Sequence, residues 1–373
     1  MQKALFNRVL LAAAMVTLAP TLGLAQEGGE DNTPYGSTSA EFLLLGAGAR
    51  GAALGGAFAA IADDPSALYH NPAGIALVRG PGVTLSTYDY VAETRYSWGG
   101  VVFPFSGGSR SFGIQLGTFG FSDQPVYTVD QPDGTGSVYS VNETFVGATY
   151  AQNFSDRFSA GLTTKFIFDQ LGDAEGSAFA VDFGTNFHAM LNNHPIKFSF
   201  VLANLGTTLS YSGDALNADI PRTPLPGEPE VPTQPQPGQL RTKDFALPTV
   251  FRVGLAYDLM SGEDSRLTLL GDFNQPTNTK AGFVLGGEWN LNRLGDSGFG
   301  AALRGSYSYA ASNSAELTTL DTDLSSEEDL QGIAFGGGIN YSAANGFLLG
   351  VDYAYRHMGV LGGTSFFTFN VGW

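Results

Sequence analysis

The chain has 373 residues, 18 basic and 35 acidic, giving a formal net charge of −17, and it has no cysteine. That balance argues against nucleic acid as a partner, because phosphate contacts need a basic face. The missing thiols exclude disulfides and cysteine ligands. Only 14% of the residues are charged, against about 25% in an ordinary soluble domain, while glycine and phenylalanine number 50 and 28.

Residues 1–25 read as a secretory signal peptide. Lys3 and Arg8 form the basic start, Val9 to Leu18 the apolar stretch, and "GLA" before Gln26 a small-residue cleavage site. Pro20 and Gly23 interrupt the stretch below the ~20 residues a membrane helix needs. The run "FLLLGAGARGAALGG", residues 42–56, satisfies G-x-G-x-x-G with Gly46, Gly48 and Gly51, and Asp63 and Asp64 follow. A dinucleotide fingerprint sits in a βαβ unit with its acid about 20 residues on. Here the acids stand closer and everything downstream reads as strand. The small residues therefore serve packing. Asp64-Pro65 and Asn71-Pro72 each offer a cap with proline at the first helical position. Residues 26–81 are expected to form a compact helical hatch inside a barrel made by residues 82–373.

From Gly82 onward apolar and small or polar residues alternate. In "VFRVGLAYDL" Phe251, Val253, Leu255, Tyr257 and Leu259 share one face, opposite Arg252, Gly254, Ala256 and Asp258. "DRFSAGLTTKFIF", "AGFVLGGEWNL" and "GFLLGVDYAYR" repeat the pattern. Side chains alternate across a strand, so one face meets something apolar. A soluble sandwich would carry Lys and Glu on its other face, rather than Gly, Ala, Ser and single charges. Fourteen segments result: roughly 82–90, 94–104, 110–121, 139–152, 157–169, 176–190, 196–210, 249–260, 265–275, 280–292, 298–310, 331–342, 346–357 and 363–373. Each is long enough for a tilted membrane strand of ~9–11 residues. Connections after even-numbered segments are short, and the long ones (122–138, 211–248, 311–330) follow segments 3, 7 and 11. Bacterial barrels have an even strand count, short periplasmic turns and long outer loops. The fold class expected is all-β: a 14-stranded antiparallel transmembrane barrel in the bacterial outer membrane, surrounded by its lipids. The loop 211–248, with seven prolines between Pro221 and Pro237, reads as an extended extracellular segment.

Charges on the lumen side are Lys165, Asp169, Asp182, Arg252, Asp258, Asp272, Glu288, Arg304, Asp352 and Arg356. Buried unpaired they would be costly, so they are expected to be hydrated or paired with one another or with the hatch. Arg50 is the only charge between Glu41 and Asp63 and should pair with a wall carboxylate or with Asp63 and Asp64. "GDSG", residues 295–298, resembles a serine-protease motif, but no His and Asp accompany it as a triad requires, and turn chemistry favours those residues anyway. The acidic loops "DTDLSSEED" and "DQPDGTG" lack the spacing of a calcium loop. No catalytic residue, metal site or cofactor is expected, so the reading is of a protein that is not an enzyme.

The block "AEFLLLGAGARGAALGGAFAAIADDPSALYHNPAGIA", residues 40–76, resembles the opening of the PorV/PorQ proteins, members of the FadL-like barrels. The likeness rests on Arg50, Gly55, Gly56, Asp63, Asp64, Asn71, Pro72 and Ala73. It implies fourteen strands around an N-terminal hatch. The ending Phe367, Phe369, Val371 and Trp373 resembles the terminal signal that barrel-assembly machinery recognises. For function the resemblance implies a partner in type IX-like protein export or surface attachment, engaging a secretion translocon or exported proteins. The alternative it implies is a FadL-like passive channel for long-chain fatty acids or other hydrophobic small molecules.

Overall fold

A computed structural model describes residue 34 and residues 36–220, 236–294, 297–310 and 332–373. The signal-peptide segment, the proline-rich stretch 221–235, Gly295, Asp296 and the acidic run within 311–331 lie outside the described residues. The wall strands are β1 (Gly82–Asp89), β2 (Arg95–Phe105), β3 (Arg110–Pro125), β4 (Val138–Ser155), β5 (Phe158–Leu171), β6 (Ala174–Leu191), β7 (His194–Gly206), β8 (Val250–Ser261), β9 (Ser265–Pro276), β10 (Gly282–Leu291), β11 (Phe299–Ala310), β12 (Ile333–Ser342), β13 (Leu348–His357) and β14 (Gly363–Gly372). Each pairs antiparallel with its neighbours in sequence, and β1 meets β14 with Gly82 opposite Gly372 and Leu85 opposite Phe369. The sheet thus closes on itself, a 14-stranded antiparallel barrel with no unpaired edge left in hydrocarbon.

Burial is inverted relative to a soluble domain. Leu162, Phe166 and Phe168 on β5 are exposed, while Ser159, Thr163 and Lys165 between them are buried. Trp289 is exposed on β10 and Glu288 beside it is fully buried. Phe367 and Phe369 of β14 face outward with Trp373, while Phe366 and Thr368 face in. An apolar outer belt around a charged, sequestered interior suits lipid outside and a filled lumen inside. The protein is accordingly an outer-membrane β-barrel.

Strand bounds lie within three residues of the sequence expectation except at the ends of the third strand, which runs on to Pro125, and of the seventh. The seventh strand stops at Gly206, not residue 210, because Asn204 takes a left-handed φ of 60° and the chain then leaves the ladder. Three short strands follow outside the wall. Tyr211–Gly213 extends β6, and Asn217–Ile220 pairs with Gln236–Gln239. The wall is also uneven, with β1 of 8 residues against 18 in β4 and in β6.

The lumen holds the N-terminal segment. A 3-10 turn (Glu41–Leu44) lies near the outer rim, followed by α1 (Ala49–Ala53), α2 (Ala67–His70) and a 3-10 turn (Pro72–Leu77) that leads to β1 at the periplasmic rim. At the outer end Thr38 bridges to Ala246 of the β7–β8 connection, and the Ser39 N–H donates to the Ala246 carbonyl at 3.0 Å. Ala49, Ala53, Leu54, Ala57, Phe58, Ile61, Ala67, Leu68 and Ile75 are wholly or almost wholly buried and form the core. Small residues permit this. Gly55 turns the chain with φ +62°, and a Cβ there would meet the Ser308 hydroxyl of β11 at 2.6 Å. Gly161 of β5 and Gly184 of β6 let Pro72 and Asn71 sit directly on wall backbone.

Candidate functional site

The lumen divides into a charged layer and an apolar pocket. In the charged layer Arg50, on α1, spans hatch and wall. Its Nε and Nη2 donate to the two Glu288 oxygens of β10 at 2.7 and 2.9 Å. Its Nη1 donates to Asp63 Oδ1 and Asp64 Oδ2, both at 2.7 Å. A planar guanidinium matches such a two-oxygen acceptor. Glu288 is shared with Arg304 of β11, whose Nε donates to Oε2 at 2.8 Å, and Arg304 Nη1 reaches Asp352 of β13 at 2.6 Å. Asn370 of β14 donates to Asp352, and Thr84 of β1 donates to Asn370. One polar chain therefore links the hatch to five wall strands, including the seam. Burial opposes charge on Asp63, but Arg50, with Lys197 and Arg266, outweighs it and holds the carboxyl below its usual range. Arg50 in turn is held charged: burial works against it, and Glu288, Asp63 and Asp64 prevail.

Other sequence-expected charges pair apart from this chain. Lys165 lies 2.6 Å from Asp182 and donates to Asn204. Asp258 accepts from Thr268, and Asp169 from Tyr211. Asp272 of β9 is buried, and neither of its carboxylate oxygens has a hydrogen-bond partner among the described residues. Arg356 is placed differently. It joins no ion pair among the described residues, because it stands at the outer end of β13, above the carboxylates that pair the other arginines. Asn71 caps as expected, accepting the Ala73 N–H at 3.1 Å, and its amide donates to the Ala59 carbonyl at 2.8 Å and to Asn186 of β6 at 3.0 Å. Asp64 accepts the Ser66 N–H at 2.9 Å, and its carbonyl accepts the Ala67 N–H at 3.0 Å in the turn that leads into α2. His70 is buried beneath Gly51, with Nε2 2.7 Å from the Ala47 carbonyl. Burial, assisted by Arg252 and Arg50, lowers its pKa to about 4.

The pocket lies above this layer, between the outermost hatch turn and the wall. It encloses about 430 Å³ and is lined by Phe42, Leu44 and Leu45 from the hatch, Tyr88 and Tyr90 at the end of β1, Phe119 of β3 and Phe366 of β14. Glu41, Glu143 of β4, Arg356 and Met358 complete the lining. The hatch segment beneath it is fastened by phenols. Tyr69 donates to the Leu43 carbonyl at 2.7 Å and accepts the Gly46 N–H at 2.9 Å, while Tyr88 donates to the Gly46 carbonyl at 3.1 Å. Gly46 and Gly48, with φ of 95° and 82°, stand between the pocket lining and Arg50. Apart from Arg356, sequence reading missed these residues. Strand parity could have found Glu143, which shares the inward face with Phe145. Nothing in the sequence brings Phe42 to Phe366. Lys197 and Arg266 were missed too. Arg266 lies 3.9 Å from both Asp63 and Glu288.

The chain matches no protein-family model and none of the curated proteins. Solved structures share its fold. The toluene transporter TbuX of Ralstonia pickettii superposes with a TM-score of 0.51 at 12% identity, over 88% of this chain and 98% of that one. For the toluene transporter TodX of Pseudomonas putida the values are 0.50 and 13%, over 87% and 96%. For the monoaromatic hydrocarbon channel CymD they are 0.51 and 11%, over 88% and 97%. Likeness at such identity shows the fold alone, a closed 14-stranded outer-membrane barrel.

Proposed function

We propose that this protein is a passive, non-catalytic conduit for hydrophobic small molecules across the outer membrane, gated by its hatch. The observation that carries the reading is the pocket of about 430 Å³ between the outermost hatch turn and the wall, lined largely by aromatic and aliphatic side chains from hatch and strands. Ligand sites are typically apolar clefts with a few placed polar groups. The fold shared with TbuX, TodX and CymD, which are named for toluene and monoaromatic hydrocarbons, supports the same reading. A compound entering from outside would leave water for Phe42, Leu45, Tyr88, Phe119 and Phe366. Apolar transfer contributes about 25 cal/mol per Å² removed from water. Passage beyond the pocket requires the hatch to shift, with Gly46 and Gly48 as the pivot and the Arg50–Glu288 pair as the latch.

The alternative, an export partner of the PorV/PorQ type, draws its support from residues 40–76. Much of that block faces inward: Ala53, Leu54, Ala57, Phe58, Ala62, Ala67, Leu68, Asn71 and Ala73 are fully buried. Its residues serve the packing of the hatch and offer little surface to an exported protein. The conduit reading is therefore the stronger. Deleting the gene should slow uptake of a hydrophobic compound supplied at limiting concentration and leave the set of secreted proteins unchanged. Leu45→Trp, which fills the pocket, should slow uptake while the barrel remains folded in detergent. Normal uptake in both strains, or a depleted secretome in the deletion, would count against the conduit.

A further inference from the structure

We propose that the outer pocket takes hydrophobic compounds bearing a protonated amine in preference to those bearing a carboxylate, a selectivity that rests on the conduit reading above. The pocket spans the arc from β13 through β14, β1, β2 and β3 to β4. At its β4 end Glu143 stands directly opposite Asp169 of β5 in the ladder, and both side chains face inward. Residues so placed have Cβ atoms about 5 Å apart. Asp169 is 2% exposed; one oxygen accepts the Tyr211 hydroxyl, and the other has no partner. Glu143 has no basic partner among the described residues, and the charges that reach it, Asp169 and Glu41, are both negative. Glu41 is oriented by Thr38 and by the Asn278 amide. Two carboxylates, Glu41 and Glu143, thus line this aromatic cavity, with Asp169 buried behind Glu143, and among the described residues no basic side chain pairs with Glu143.

Arg356 also lines the cavity, but from β13 at the other end of the arc, and the charges acting on Glu143 do not include it. Among the described residues no three carboxylate or imidazole groups come close enough to hold a metal ion. The complement is therefore an organic cation. Its ammonium would sit at Glu143, and its apolar body would lie along Tyr88, Tyr90 and Phe119. Aromatic faces also attract a cation within about 6 Å. A carboxylate placed there would meet like charge where water is scarce, which is unfavourable.

Binding of 4-phenylbutylamine, 4-phenylbutanol and 4-phenylbutyrate to the full-length protein in non-ionic detergent, measured by calorimetry at pH 9, tests this. The amine should bind about tenfold tighter than the alcohol, as a charge-assisted contact allows, and the acid should bind most weakly. Glu143→Gln should reduce the amine to the level of the alcohol. Heat-modifiable migration on gels checks that the variant is folded, and Asp169→Asn should lower amine affinity by a smaller factor. An acid that binds as well as the amine, or an amine advantage that survives Glu143→Gln, would overturn the proposal. If the alcohol binds and the amine gains nothing, the selectivity fails and the conduit stands. If the alcohol does not bind, both fail.

Discussion

Replacing Arg50 by Met keeps the length and apolar stem of the side chain and removes its charge. Glu288, whose side chain is 0% exposed, then loses two hydrogen bonds, and Asp63 and Asp64 lose their guanidinium donor. Breaking a buried ion pair typically destabilises by about 3–5 kcal/mol. Two features favour the lower end of that range. Arg304 remains on Glu288, and Asp63 and Asp64 keep 32% and 27% of their side-chain surface in contact with solvent. A loss of about 3 kcal/mol corresponds to a roughly 150-fold rise in the population of displaced hatch, at 1.36 kcal/mol per tenfold. Hydrogen–deuterium exchange of the purified protein in detergent reads this directly. Amides of residues 49–77 should exchange about two orders of magnitude faster, while those of β4 to β7 should hold their wild-type rates. Glu288→Gln should act in the same direction, and the double variant should fall well short of the sum, because both substitutions remove one interaction. Unchanged hatch exchange in Arg50→Met, or fully additive effects, would refute the latch.

Two further outcomes follow from the hatch. Asn71→Ala removes the cap on Pro72–Leu77 and leaves the Ala59 carbonyl short of a donor. It should weaken the hatch by about 1–2 kcal/mol in the same exchange experiment, with the barrel still closed. His70 has its pKa lowered from 6.5 to about 4, so the unfolded hatch binds the proton more readily than the folded one. Its contribution is complete above pH 6.5, declines as the pH falls towards 4, and is flat below that, a total of about 3 kcal/mol by linkage. Hatch exchange in wild type should therefore accelerate between pH 6.5 and 4 after correction for intrinsic rates. His70→Gln, which keeps a donor for the Ala47 carbonyl, should lose that part of the dependence.

The wall was legible in the sequence because its code is local. A strand in lipid must alternate with a period of two, so Phe251, Val253 and Leu255 already declare one face. The parity of short and long connections then sets the strand count and the side on which the chain returns. The charges of the lumen were legible for the same reason, since Glu288 and Arg304 fall on the inward parity of β10 and β11. That Arg50 would need acids followed from its isolation in an apolar segment. Which acids it took, Glu288 together with Asp63 and Asp64, depended on how deep α1 settles in the lumen. The pocket belonged to the tertiary structure alone. Phe42, Tyr88, Phe119, Glu143 and Phe366 are spread over more than three hundred residues, and only closure of the sheet between β1 and β14 brings them around one space. Periodicity along a strand specifies which face a side chain takes. It carries no information about what stands across the lumen, because that distance is fixed by the barrel's closure and by where the hatch comes to rest.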